Sequence, residues 1–86
     1  MTENLTATEK QLRDETHKWL DRMQAEAKKV ELVDKSKQDL LKNVLAYVSD
    51  CEHFIEKGDY VRAFEAIVWS WSWLEILERL NILRRK

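Results

Sequence analysis

No proline interrupts these 86 residues, and a single glycine, Gly58, supplies the one position where positive φ carries no steric penalty. A chain so short of turn residues, and so rich in Glu, Lys, Leu and Ala, is expected to be helical almost throughout. The glycine directly precedes Asp59, a favoured helix N-cap, so one helix is expected to stop at Gly58 and the next to start beside it. Such a short connection forces a tight antiparallel hairpin.

Apolar residues repeat with helical period in three segments, at about 7–31, 36–57 and 60–83. The first opens on Thr6 and Glu9, which have capping-box spacing, and its stripe is Leu12, Trp19, Leu20, Met23, Ala27 and Val30, with Thr16 in the gap. The second starts around Asp34 or Ser36, where Ser36 and Asp39 repeat the same spacing. Leu40, Leu41, Val44, Leu45, Tyr47, Val48, Cys51, Phe54 and Ile55 then make a stripe wide enough to touch two neighbours. Tyr60, Ala63, Phe64, Ile67, Trp71, Leu74 and Leu77 define the inner face of the third. Three amphipathic helices with short connections predict an all-α, up-down-up three-helix bundle, a single domain over residues 1–86. Trp19, Met23, Val44, Val48, Phe64, Ile67 and Trp71 are the expected core, with Trp19 near Trp71 because the first and third helices run parallel. Glu78 is expected to pair with Lys37 at the bundle end, and Arg84, Arg85 and Lys86 to fray.

The third helix carries more apolar surface than one inner face can bury. Trp69, Ser70, Trp71, Ser72 and Trp73 put three of the four tryptophans within five positions. Trp69, Trp73, Ile76, Leu80 and Leu83 recur at spacings of four, three, four and three on nearly the opposite side. An exposed apolar patch of that kind marks an interaction surface, and tryptophan is favoured at binding hot spots. The sequence thus points to a non-enzymatic protein–protein interaction module that meets a protein partner or, most simply, a second copy of itself as a homodimer through this stripe. The plainer reading is a broadened core, with the first helix or the Leu32–Val33 connection covering part of it. The alternative is a nucleic-acid-associated accessory protein, using the tryptophans beside Arg79, Arg84, Arg85 and Lys86. Against the nucleic-acid reading, charged residues are 36% of the chain but nearly cancel, at a net charge of -1, and Asp50 to Glu78 carries seven acids with only Lys57 and Arg62 as bases.

Other chemistries find little support. Asp14, His17 and Asp21 have metal-compatible spacing, but three ligands on one solvated helix make an open, weak site, and charge pairing is the simpler role. Cys51 falls on the core stripe with acidic neighbours, the wrong setting for a nucleophile. His53 sits between Glu52 and Glu56 on the polar face. Asp50 and Glu75 fall several helical residues apart in an antiparallel register, too far for a joint acid–base pair. No catalytic residue, metal or cofactor is therefore expected. A lone cysteine suits a reducing cytoplasm, and no apolar run approaches the roughly 20 residues of a membrane span.

The hairpin resembles a known family. Tyr47, Asp50, Phe54, Gly58, Asp59, Tyr60, Ala63, Phe64, Ala66 and Ile67, followed by Trp73, Leu74 and Glu75, look like the archaeal domain of unknown function 357. The likeness covers the second and third helices, about half of the chain. Trp69 to Ser72 depart from the tyrosine, alanine, polar residue and glycine expected there, and Glu75 replaces an aspartate. The resemblance implies a short archaeal helical protein and brings no activity or catalytic residues with it.

Overall fold

Residues 5–86 are described by the computed structural model. Helix α1 spans Ala7–Ala27. Its capping box is closed: the Glu9 N–H donates to Thr6 Oγ1 at 3.1 Å and the Thr6 N–H to Glu9 Oε1 at 3.3 Å. A short strand β1 (Val30–Leu32) follows, then a 3₁₀ turn at Lys35–Lys37, helices α2 (Gln38–Glu56) and α3 (Tyr60–Arg79), and a last strand β2 (Leu83–Arg85). The fold is an all-α three-helix bundle, as the periodicity predicts.

The α2–α3 turn forms as expected. Gly58 has φ 73°, its N–H donates to the Ile55 carbonyl, and the Asp59 N–H reaches back to the Phe54 carbonyl, each at 2.9 Å. That bond pair is a Schellman ending. Asp59 then accepts the Arg62 N–H at 3.1 Å and the Arg62 guanidinium at 2.7 Å, which together hold its carboxyl below the usual value. Asp59→Ala should lower the melting temperature by about 4–8 °C, the effect of losing one N-cap in a domain this size, read by circular dichroism.

Three boundaries differ from expectation. Helix α1 ends at Ala27, not near residue 31, because Val30 and Leu32 turn onto the core as alternate residues of a strand while Glu31 faces Arg84. Ser36 does not form a capping box; Asp34 accepts its N–H at 3.1 Å and its hydroxyl at 2.6 Å, so one tight turn precedes α2. Helix α3 stops at Arg79 rather than running to 83, because Asn81 takes the left-handed conformation at φ 58°. The Asn81 N–H donates to the Glu78 carbonyl and the Ile82 N–H to the Leu77 carbonyl, a second Schellman ending with asparagine in glycine's place.

The tail does not fray. Val30 pairs with Arg85, Glu31 with Arg84 and Leu32 with Leu83 in an antiparallel ribbon. The ladder is extended by the Lys86 N–H to the Lys29 carbonyl and the Val33 N–H to the Ile82 carbonyl. The expected Lys37–Glu78 pair gives way to a fork from Arg85, with Nε and Nη2 donating to the two Glu78 oxygens at 2.7 and 2.8 Å. Arg85 Nη1 also reaches Glu26 at 3.2 Å, so one guanidinium ties the ends of α1 and α3 to β2.

Helix α3 is the central element: it packs along both α1 and α2, which meet each other much less. Met23, Val44, Val48 and Ile67 are buried as expected, while Trp19, Phe64 and Trp71 are half-buried at the edge of the core. Trp19 and Trp71 do meet, ring edge to face at 5.8 Å and 80°, and the Trp71 indole N–H donates to the Trp19 carbonyl at 3.1 Å. Ala63, Ala66 and Ser70 are small, buried and spaced three and four residues apart on one stripe of α3. Their size lets the backbones approach, and the buried Ser70 hydroxyl donates across to the Val44 carbonyl at 2.8 Å. Thr16, equally buried, bonds the Leu12 carbonyl at 2.7 Å, so neither hydroxyl is left unpaired.

Candidate interaction surface

With its inner faces covered, α3 still presents a long apolar line. Trp69, Ile76 and Leu80 are 52%, 44% and 62% exposed. They sit where the four-three-four spacing places them, on the side turned away from α1 and bordering α2. Trp73, on the same line, is half-buried and packs against the core. Leu83 leaves the surface altogether. It belongs to β2 rather than to α3, is 1% exposed, and fills the core beneath the ribbon. The Asn81 stop is the physical reason, since it swings the chain off the helix axis before the stripe can continue.

Sequence reading missed one member of this surface. Tyr47, at the margin of the α2 stripe, stacks on Trp69 with ring centroids 6.5 Å apart and planes 21° from parallel. The tryptophan is thereby held by a neighbouring helix instead of swinging freely, which lowers the entropy cost of presenting it. No apolar-periodicity signal separates an edge tyrosine of this kind from a core one. The only hint is its hydroxyl, which favours a position with one side open to water.

Charges frame the line unevenly. Glu65 lies one turn before Trp69, and Arg79 three residues after Ile76; both are exposed. Neither makes a salt bridge among the described residues. Arg62, beside Glu65, is already tied to Asp59, and Arg79 shares a shallow surface hollow with Glu75 and Glu78. The basic residues at the C-terminal end are met by acids of the same chain. Arg84 and Lys86 lie 3.1 and 3.9 Å from Glu31, and Arg85 is held by Glu78 and Glu26. Of the four tail cations weighed for nucleic-acid contact, Arg79 alone stands clear of such a bridge among the described residues.

On the other flank of α3, Trp19, Val68, Trp71, Ser72 and Glu75 line a shallow, mainly apolar groove of about 260 Å³. Its rings are already engaged: the Arg22 guanidinium lies 4.9 Å from the Trp19 ring centre and the Arg85 guanidinium 6.0 Å from that of Trp71. The groove is therefore bordered by intramolecular cation–π contacts that fix its walls.

The remaining candidates are not brought together. Asp14 sits 3.4 Å from Arg13, and the His17 ring lies 6.1 Å from that of Tyr60. Among the described residues no three His, Cys, Asp or Glu side chains gather as a metal site. Burial, and secondarily the charge of Glu52, pushes the Cys51 thiol up to about 11, which suits its place in the core. The α2–α3 register set by Ser70 on Val44 leaves Asp50 more than two turns of α3 away from Glu75. No helix among the described residues is long and apolar enough to cross a membrane.

The family model described as a protein of unknown function (DUF357) matches residues 12–83, so the likeness read from the hairpin extends through most of α1 as well. The crystal structure of a protein from Archaeoglobus fulgidus, itself matched to DUF357, is similar with a TM-score of 0.84 at 42% sequence identity. That match covers 93% of this chain and 100% of the other. No curated protein matches.

Proposed function

The chain belongs to the DUF357 family, whose function is unknown, and on that premise we propose that it is a non-enzymatic interaction module that self-associates through the outer face of α3. The observation that carries this reading is the row of Trp69, Ile76 and Leu80, exposed along the central helix and flanked by a tyrosine that fixes the tryptophan. Large apolar side chains left in line on a small domain mark contact surfaces, and tryptophan and tyrosine dominate such contacts. Contact rather than catalysis is supported by Cys51, sealed in the core with a raised thiol pKa, and by His17, set against a tyrosine ring. A second copy is the simplest occupant, because a line spaced four, three and four residues apart can meet itself about a two-fold axis. A cytoplasmic setting suits the lone buried cysteine.

One helix line is small beside the ~800 Å² per partner of a standard interface, so the dimer is expected to dissociate on dilution. Sedimentation across a concentration series should show the dimer mass at high concentration and the monomer at low. Trp69→Glu should leave a monomer at every concentration with unchanged helical circular dichroism, because it places an unpaired charge in the contact. Trp73 is a poorer place for that test, being packed against the core. A wild-type chain that stays monomeric throughout would overturn the reading.

A further inference from the structure

We infer that the second copy docks antiparallel, its α3 running against this α3 about a two-fold axis beside Ser72 and Trp73, with Glu65 of each copy facing the partner's Arg79; this rests on the self-association just proposed. Glu65, Ser72 and Arg79 are spaced seven residues apart and share one flank of the apolar line. In paired helices, charged residues at that flanking position select the orientation of the partner. Here the acid stands at one end and the base at the other, separated by about 21 Å along the helix. In parallel copies the two-fold runs along the helices and carries this flank to opposite sides of the contact, so neither Glu65 nor Arg79 would meet an opposite charge from the partner's matching flank. Antiparallel copies set each acid on a base.

The apolar residues select the same axis independently. The midpoint of Glu65 and Arg79 in sequence is Ser72, and the midpoint of Trp69 and Ile76 lies between Ser72 and Trp73. A two-fold that sets Trp69 on the partner's Ile76 therefore brings Glu65 to within one residue, about 1.5 Å along the helix, of the level of the partner's Arg79, a gap that long side chains span. Ser72 has a small side chain whose hydroxyl is turned back to the Val68 carbonyl at 2.9 Å, so it leaves room for close approach at the crossing point. Neither charge has to break a salt bridge to take part, since among the described residues Glu65 and Arg79 make none.

Charge exchange tests the arrangement separately from self-association. Glu65→Arg and Arg79→Glu should each weaken dimerisation by about 5–30-fold at low salt, because every substitution acts twice in a two-fold dimer. The double variant, Glu65→Arg with Arg79→Glu, should restore wild-type association, and the losses should shrink at high ionic strength. Both substituted positions are exposed and helical, and melting curves identical to wild type for all three variants would show the fold is intact. A wild-type dimer that the single reversals leave unchanged, or that the double variant fails to rescue, overturns the antiparallel arrangement while self-association stands. A wild-type chain that is monomeric at every concentration overturns both.

Discussion

Removing residues 82–86 should cost this domain most of its stability, and Leu83→Ala alone should cost about 2–5 kcal/mol. Leu83 is 1% exposed and joins the same buried cluster as Met23, Leu74 and Leu77. The truncation would also take away the ladder with β1 and the Arg85 fork on Glu78 and Glu26. A domain of this length is held by only ~4–13 kcal/mol, at 0.05–0.15 kcal/mol per residue, so the loss is a large share of the whole. Thermal and denaturant unfolding would measure it. Leu83→Met, which keeps the volume, should cost under about 1.5 kcal/mol and serves as the control. A truncated chain that melts with the full-length one would mean that the ribbon adds nothing to the core.

Trp71→Ala is expected to be of similar size, about 3–5 kcal/mol, although the residue is only half-buried. Three attachments pass through it: the edge-to-face contact with Trp19, the bond to the Trp19 carbonyl, and the Arg85 guanidinium above its ring. Because α1 meets α2 little, its hold on the bundle depends on α3. Hydrogen exchange should therefore show α1 amides losing protection before those of the α2–α3 hairpin. Trp71→Phe separates the contributions, keeping most of the packing and losing the N–H bond for about 0.5–1.5 kcal/mol. Uniform loss of protection across all three helices would contradict this division.

Helix starts and stops that depend on one residue's chemistry were legible in the sequence. Thr6 and Glu9, Gly58 and Asp59 do as their types suggest. Asn81 does the same work as Gly58, yet asparagine is common elsewhere, and Leu83 sits at a spacing that a continuing helix would also give. What hid the ribbon was distance along the chain: neither Val30–Leu32 nor Leu83–Arg85 has strand character alone, and each needs the other and the core beneath. The buried hydroxyls of Thr16 and Ser70 were hidden for a related reason. A polar side chain becomes a core residue when a carbonyl is within reach, and for Ser70 that carbonyl belongs to another helix. Of the stripe proposed for contact, Trp69, Ile76 and Leu80 lie where periodicity puts them, Trp73 is drawn halfway in, and Leu83 is lost to the core.

The ribbon also sets an order of assembly. The α2–α3 hairpin turns on three residues, Lys57, Gly58 and Asp59, and is built from contacts close in sequence, so its loop-closure cost is small. Joining Val30–Leu32 to Leu83–Arg85 instead closes a loop that contains the whole hairpin. The hairpin is thus expected to form first and offer a surface, with α1 and the ribbon settling on it late. Bonds made after the rate-limiting step do little to hasten folding but hold back unfolding. By that measure Arg85, with its grip on two helices, acts less as a builder of this fold than as its latch, setting how long the native state lasts once reached.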